Sequence, residues 1–171
     1  PSDLQNSSHI VLPGQGAFKS CIDGLKNISG MIESLETSVL KNKKPFLGIC
    51  VGMKLLADHS FESGKHEGLG WIQGSVKKLD NKNQKLPHMG WNDTKIVNNT
   101  FKLRFSKKKH DFYFVHSFYF DCLSNDNIIG VTDYGRNFPS IVGKENIYGV
   151  QFHPEKSSDQ GLDIIKKFIS L

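Results

Sequence analysis

Residues 46–53 constrain the fold more than any other stretch of the chain. Phe46-Leu47-Gly48-Ile49 is apolar without alternation, as a strand buried on both faces is. With no linker it runs into Cys50-Val51-Gly52-Met53 and then Leu55 and Leu56, which open a helix. A strand that passes straight into a helix belongs to a parallel sheet covered by helices. The preceding residues agree. Ile10-Val11-Leu12 is a short strand stopped by Pro13-Gly14-Gln15-Gly16. From Phe18 to Lys41 apolar residues recur at helical spacing (Ile22, Leu25, Ile28, Ile32, Leu35, Val39), and Gly24 and Gly30 divide that stretch into two helical pieces.

The second half has a different texture. Gly74 to Leu79, Lys95 to Val97, Phe101 to Phe105, Phe112 to Phe120, Ile128 to Thr132, Ser140 to Gly143 and Ile147 to Phe152 read as short strands separated by Asn, Asp and Gly turns. A final helix carries Leu162, Ile165, Phe168 and Ile169 on one face, with Ser158 or Asp159 as its cap. The expected fold class is α/β, a mostly parallel sheet with an inserted or appended antiparallel section. Two early strands make a poor centre for such a sheet, so an upstream β-α-β segment is expected to be missing from these 171 residues.

Length and composition set the remaining bounds. A chain of 171 residues fits one domain, residues 1–171, and can bury roughly 70% of its unfolded surface without a staple. The longest run of apolar side chains is Phe112 to Val115, far short of a membrane span, and Pro1-Ser2-Asp3-Leu4-Gln5-Asn6 has neither the basic start nor the apolar stretch of a signal peptide. A cytoplasmic location is expected. Cys21, Cys50 and Cys122 include no C-x-x-C pair, which speaks against a disulfide framework and leaves room for a reactive thiol. The net charge of +5 is carried almost wholly by lysine: of 22 basic residues only Arg104 and Arg136 are arginine. That balance does not suit nucleic acid, whose readout leans on arginine forks, and Lys107-Lys108-Lys109 reads as a solvated turn.

Two segments carry chemistry. Gly48-Ile49-Cys50-Val51-Gly52 has the pattern of a nucleophile elbow, with a cysteine on a strained strand-to-helix turn and glycines two residues either side. The following helix start is expected to favour thiolate and to offer an N–H to an oxyanion. Gly149-Val150-Gln151-Phe152-His153-Pro154-Glu155 ends an apolar strand on a histidine with a carboxylate two residues on. Cys50 as nucleophile, His153 as base and Glu155 as its orienter complete a triad. Other readings fail: Lys19 stands where a dinucleotide fingerprint needs its third glycine, no P-loop is present, and His88, His116 and His153 lack zinc-ligand spacing. No metal and no cofactor is expected.

Taken together, Pro13-Gly14-Gln15-Gly16, Gly48-Ile49-Cys50-Val51-Gly52-Met53 and His153-Pro154-Glu155 resemble the three motifs of class I glutamine amidotransferases. Those enzymes release ammonia from glutamine through a Cys-His-Glu triad on a flavodoxin-like three-layer fold. Pro87-His88-Met89-Gly90-Trp91-Asn92, Tyr113-Phe114-Val115-His116-Ser117 and Asp133-Tyr134-Gly135 are similar to the glutaminase-subunit branch found in imidazole glycerol phosphate synthases of histidine biosynthesis. The likeness runs from about Ile10 to the C-terminus. It implies that the N–H groups of Gln15 and Val51 face the oxyanion. It also implies that Gly14, Gly16, Gly52, Lys54, Glu62, Ser117 and Phe118 surround glutamine, and that Pro87, Met89, Trp91, Asn92, Tyr113 and Lys156 meet a cyclase subunit with a β/α barrel. Two positions depart from that pattern: Gln15 replaces the usual Val, and Lys54 replaces a Gln that touches substrate. Two rival expectations stand beside this one. The first is a paralogous amidotransferase of surface-polysaccharide biosynthesis; the second, which Lys54 suggests, is a catalytically silent binding subunit.

Overall fold

The computed structural model describes residues 1–80, 84–99, 102–103, 105 and 109–171. Helix α1 (Ser2–Asn6), which no periodicity announced, precedes strand β1 (Ile10–Leu12), α2 (Phe18–Lys26), α3 (Met31–Glu36) and a π turn at Thr37–Lys41. Strand β2 (Phe46–Ile49) then enters α4 (Val51–Lys54). The rest is strand-rich: β3 (His59–Ser60), β4 (His66–Glu67), β5 (Gly74–Lys78), β6 (His88–Ile96), β7 (Lys109–His116), β8 (Phe118–Cys122), β9 (Ile128–Asp133), β10 (Asn137–Lys144) and β11 (Ile147–Val150), closed by α5 (Ser158–Ile169).

Among the described residues the main sheet has the order β1-β2-β11-β10-β9-β6-β7, and a smaller sheet the order β4-β3-β5-β8. The α/β class stands, but parallel pairing is confined to β1-β2 and β2-β11. The other four joins of the main sheet are antiparallel, so the expected antiparallel section makes up the larger part of it. Connection length is the cause. Residues 13–45 between β1 and β2 hold two helices, enough for a crossover, whereas only Glu145 and Asn146 join β10 to β11.

Alternation along β2 and β11 builds a core on each face of the main sheet. Phe46 and Ile147 pack with Phe18, Val39, Met53, Trp71 and Phe120 on the side of α2, α3 and the small sheet. Leu47, Ile49, Tyr148 and Val150 pack with Phe112, Phe138, Phe152 and Phe168 on the side of α5. Because both faces are covered, β2 has no polar residue to alternate with.

Several boundaries differ from those read in the sequence. Helix α2 runs through Gly24, and the break falls at Gly30, whose φ of 71° is left-handed. The Phe112 to Phe120 run is two strands in different sheets, parted at Ser117. Lys95 to Val97 is the tail of a longer strand, β6. Of the strand expected over Phe101 to Phe105, Phe101 and Arg104 lie outside the described residues, as does most of the Lys107-Lys108-Lys109 run, while Lys102, Leu103 and Phe105 are in no strand. Helix α5 buries Gly161, Ile164 and Phe168 rather than a Leu162–Ile169 face; Leu162 and Ile169 are exposed. Its first turn follows Ser157 and has no side-chain cap, because the Ser157 hydroxyl is used elsewhere.

Candidate active site

At the end of β2 the chain turns through Cys50 with φ 53° and ψ −105°, a conformation that non-glycine residues rarely hold. The Cys50 N–H still donates to the Val150 carbonyl at 2.8 Å, so β11 fixes the turn. Both flanking glycines are required sterically. A Cβ on Gly48 would stand 2.5 Å from the Gly52 oxygen, and one on Gly52 would stand 1.9 Å from the Leu12 oxygen. The elbow read from the sequence is therefore present, with its sharp backbone and its two close approaches.

Strand β11 delivers the histidine. Beyond Val150, the Gln151 N–H donates to the Ser140 carbonyl at 2.9 Å, and the His153 N–H donates to the Tyr113 carbonyl at 2.9 Å. The Ser157 hydroxyl donates to the His153 carbonyl at 2.6 Å and accepts the Tyr113 N–H at 2.9 Å. The His153 turn is thus pinned to β7. Nδ1 of His153 lies 2.8 Å from Oε1 of Glu155. A carboxylate only accepts, so Nδ1 carries the proton and Nε2 is left as the basic nitrogen. Nε2 is buried without a hydrogen-bond partner among the described residues. Glu155 is half exposed while the imidazole is buried.

Cys50 and His153 face one cavity of about 290 Å³, lined also by Gln15, Gly16, Lys54, Glu62, Val115, His116, Ser117 and Phe118. Eight residues named from the sequence, spread from Gln15 to His153, therefore meet there. Gly14 lies in an adjoining hollow with Pro13, Ile49 and Glu155. Val51 and Gly52 are buried in the first turn of α4, and the Val51 N–H is turned toward the Cys50 sulfur.

The expected ease of ionisation is not found at Cys50. Burial pushes the thiol above its ordinary value; the Lys54 ammonium and the Val51 N–H oppose this, and the Glu155 carboxylate adds to it. Helix α4 has only four residues, too few to build the dipole that was expected to favour thiolate. A thiol held protonated needs a base to accept its proton as it attacks, and His153 lines the same cavity. Lys54 is 5% exposed and points inward, with no ion pair among the described residues. Across the cavity, Oε2 of Glu62 accepts the Phe18 N–H at 3.2 Å. One cationic and one anionic side chain thus share a cavity with a thiol, a pairing that suits a zwitterionic α-amino acid.

Three residues at the site escaped the sequence reading. The buried Gln151 directs Nε2 at the Cys50 sulfur, 3.8 Å away, and its Oε1 has no protein partner. His116 lines the cavity, and its Nε2 lies 3.0 Å from Nδ1 of the buried His88. The polar residue Gln151 inside an apolar strand was the one signal available; for the histidines, the pairing of β6 with β7 had to be known.

The residues expected at a partner face lie on and beside β6. Met89 and Trp91 are exposed at 61% and 52%, and Trp91 meets the half-buried Tyr113 edge-on at 6.2 Å. Pro87 and Lys156 are exposed. Asn92 is half-buried, its amide donating to the Asp133 carbonyl at 2.9 Å.

Comparison with known proteins places the chain. A family profile described as "Glutamine amidotransferase class-I" matches residues 2–171. The imidazole glycerol phosphate synthase subunit HisH of Pelagibacter ubique is 48% identical over 98% of this chain and 82% of its own length. The HisH 1 subunit of Campylobacter jejuni is 44% identical over 100% of this chain and 85% of its own length. A solved glutamine amidotransferase covers 99% of this chain and 81% of its own, with a TM-score of 0.73 at 17% identity. The glutaminase domain of Trypanosoma brucei CTPS, solved with bound acivicin, covers 99% of this chain and 74% of its own, with a TM-score of 0.67 at 18% identity; these two likenesses show the fold. Matched along almost its whole length, the chain belongs to the class-I glutamine amidotransferases, among the HisH subunits of imidazole glycerol phosphate synthase.

Proposed function

We propose that residues 1–171 form one glutaminase domain that hydrolyses glutamine and hands the ammonia to the cyclase subunit of an imidazole glycerol phosphate synthase, in the cytoplasm. The observation that carries this reading is the pair Cys50 and His153 on one cavity, with His153 Nδ1 held by Glu155 and Nε2 unpaired.

The proposed reaction has two halves. The Cys50 thiol gives its proton to His153 Nε2 as sulfur attacks the carboxamide carbon, and the oxyanion gathers at the N–H groups of Gln15 and Val51. The C–N bond breaks as His153 returns the proton to nitrogen, leaving ammonia and a thioester. His153 then takes a proton from water, hydroxide adds to the thioester, and sulfur leaves with that proton to give glutamate. Lys54 attracts the α-carboxylate and Glu62 the α-ammonium of the substrate, while Ser117 and Phe118 supply backbone groups. The exposed Met89–Trp91 face, with Tyr113 behind it, is the surface for the barrel.

The test is ammonia release from glutamine, measured for the chain alone and for its complex with the cyclase in the presence of the cyclase's nucleotide substrate. Low activity alone and a large rise in the complex are expected. Equal rates in both would point to a stand-alone hydrolase, and no ammonia in either to a silent binding subunit.

A further inference from the structure

Beneath the Ser117 break lies a line of polar groups that the triad does not use. His116 Nδ1 is 2.9 Å from the Phe118 carbonyl oxygen, which can only accept, so Nδ1 bears the proton and Nε2 is an acceptor. His88 Nδ1, 3.0 Å from that Nε2, must then donate, which makes His88 Nε2 an acceptor in turn. It is met at 3.1 Å by the Asn92 amide nitrogen, whose other proton goes to the Asp133 carbonyl. The amide orientation is fixed independently, because Oδ1 of Asn92 accepts the Asp93 N–H at 2.8 Å. Every donor has one acceptor, and the chain runs one way, from Asn92 through His88 and His116 to Phe118.

The rings cannot readily turn. His88 is stacked between Phe114 and Tyr134, with centroids 4.8 and 4.0 Å away. Burial holds both rings neutral, pushing His88 down to about 4 and His116 down to about 3. A proton on either would set two N–H groups face to face. One end of the chain borders the exposed Met89 and Trp91 hollow, and the other ends at Phe118 in the wall of the catalytic cavity.

We propose that Asn92, His88 and His116 are positioning residues that hold the Ser117–Phe118 wall against bound glutamine and tie it to the face offered to the cyclase. This rests on the glutaminase reading and adds a function to residues that touch no reacting atom.

Paired amide substitutions test it, with glutamine KM and kcat measured in the complex with the cyclase. The His88→Asn variant keeps an N–H near the Nδ1 position and still serves His116. In His88→Gln the amide sits near the Nε2 position, and His116 loses its donor. Likewise His116→Asn keeps the donor to Phe118, whereas His116→Gln withdraws it. Each Gln variant is expected to raise KM about tenfold with kcat within about threefold, while each Asn variant stays near the parent KM. A purely structural role would treat the two amides alike at each position. Asn and Gln variants with equal KM, or a fall in melting temperature with no change in KM, would overturn the proposal. A parent complex that releases no ammonia from glutamine would instead refute the glutaminase reading on which it rests.

Discussion

Replacing Lys54 by glutamine removes a cation that lines the cavity with Cys50. Lys54 follows Cys50 by four residues, its N–H donates to the Cys50 carbonyl at 3.2 Å, and both residues line the same cavity. For charges about 6 Å apart, at an effective dielectric of 20 to 40 for a cavity open to water, one cation stabilises a thiolate by about 1.4–2.8 kcal/mol. Lys54 is the strongest influence lowering the Cys50 thiol, and burial already holds that thiol high, so its loss moves the thiol further up. Alkylation of Cys50 by iodoacetamide at pH 7.5 is therefore expected to slow by roughly 10- to 100-fold in Lys54→Gln. The assay needs a Cys21→Ser background, since Cys21 is partly exposed, whereas Cys122 is buried. Glutamine binding should weaken as well: a neutral amide no longer attracts the α-carboxylate, and KM rises. An alkylation rate unchanged by the substitution would refute the electrostatic argument.

Trp91→Ala should weaken the complex with the cyclase by about 2 kcal/mol, roughly 30-fold in Kd, because exposed aromatics make interface anchors. Its melting temperature should hardly move, since the indole is 52% exposed, and titration calorimetry with a parallel thermal scan checks both. Acid should destabilise the fold through His88 and His116. Unfolded, both rings titrate near 6.5; folded, burial places them near 4 and 3, so the unfolded chain binds more protons between those values. Their contribution to stability is full above about pH 7 and is lost as pH falls, by roughly 2 kcal/mol per ring at pH 5, which urea unfolding at pH 7 and pH 5 measures.

What the sequence made legible was local in the chain. The elbow needed only five consecutive residues, with glycines wherever backbone passes closely, and Gly48 and Gly52 meet that demand in space. His153 and Glu155 lie two residues apart, so their hydrogen bond could be anticipated from spacing. The break at Ser117 could not be, because apolar alternation runs through it and nothing between Phe112 and Phe120 marks a change of sheet. The His88–His116 contact joins residues 28 apart and exists only in the register that sets them opposite each other on β6 and β7. Helix α5 departs from its apolar pattern for a tertiary reason. Its first turn presses Gly161 against the Pro154 carbonyl, where a Cβ would come within 2.0 Å, and that contact turns Ile164 and Phe168 inward and leaves Leu162 outside.

On the proposed reading, Cys50 and His153 serve only to generate ammonia. This is tested most directly by assaying synthesis in the complex of this chain with the cyclase, using either glutamine or an ammonium salt as nitrogen source. Cys50→Ala and His153→Ala are each expected to abolish synthesis from glutamine while leaving synthesis from ammonium at the parent rate. Turnover of glutamine by either variant at the parent rate, or loss of the ammonium-dependent reaction as well, would contradict it.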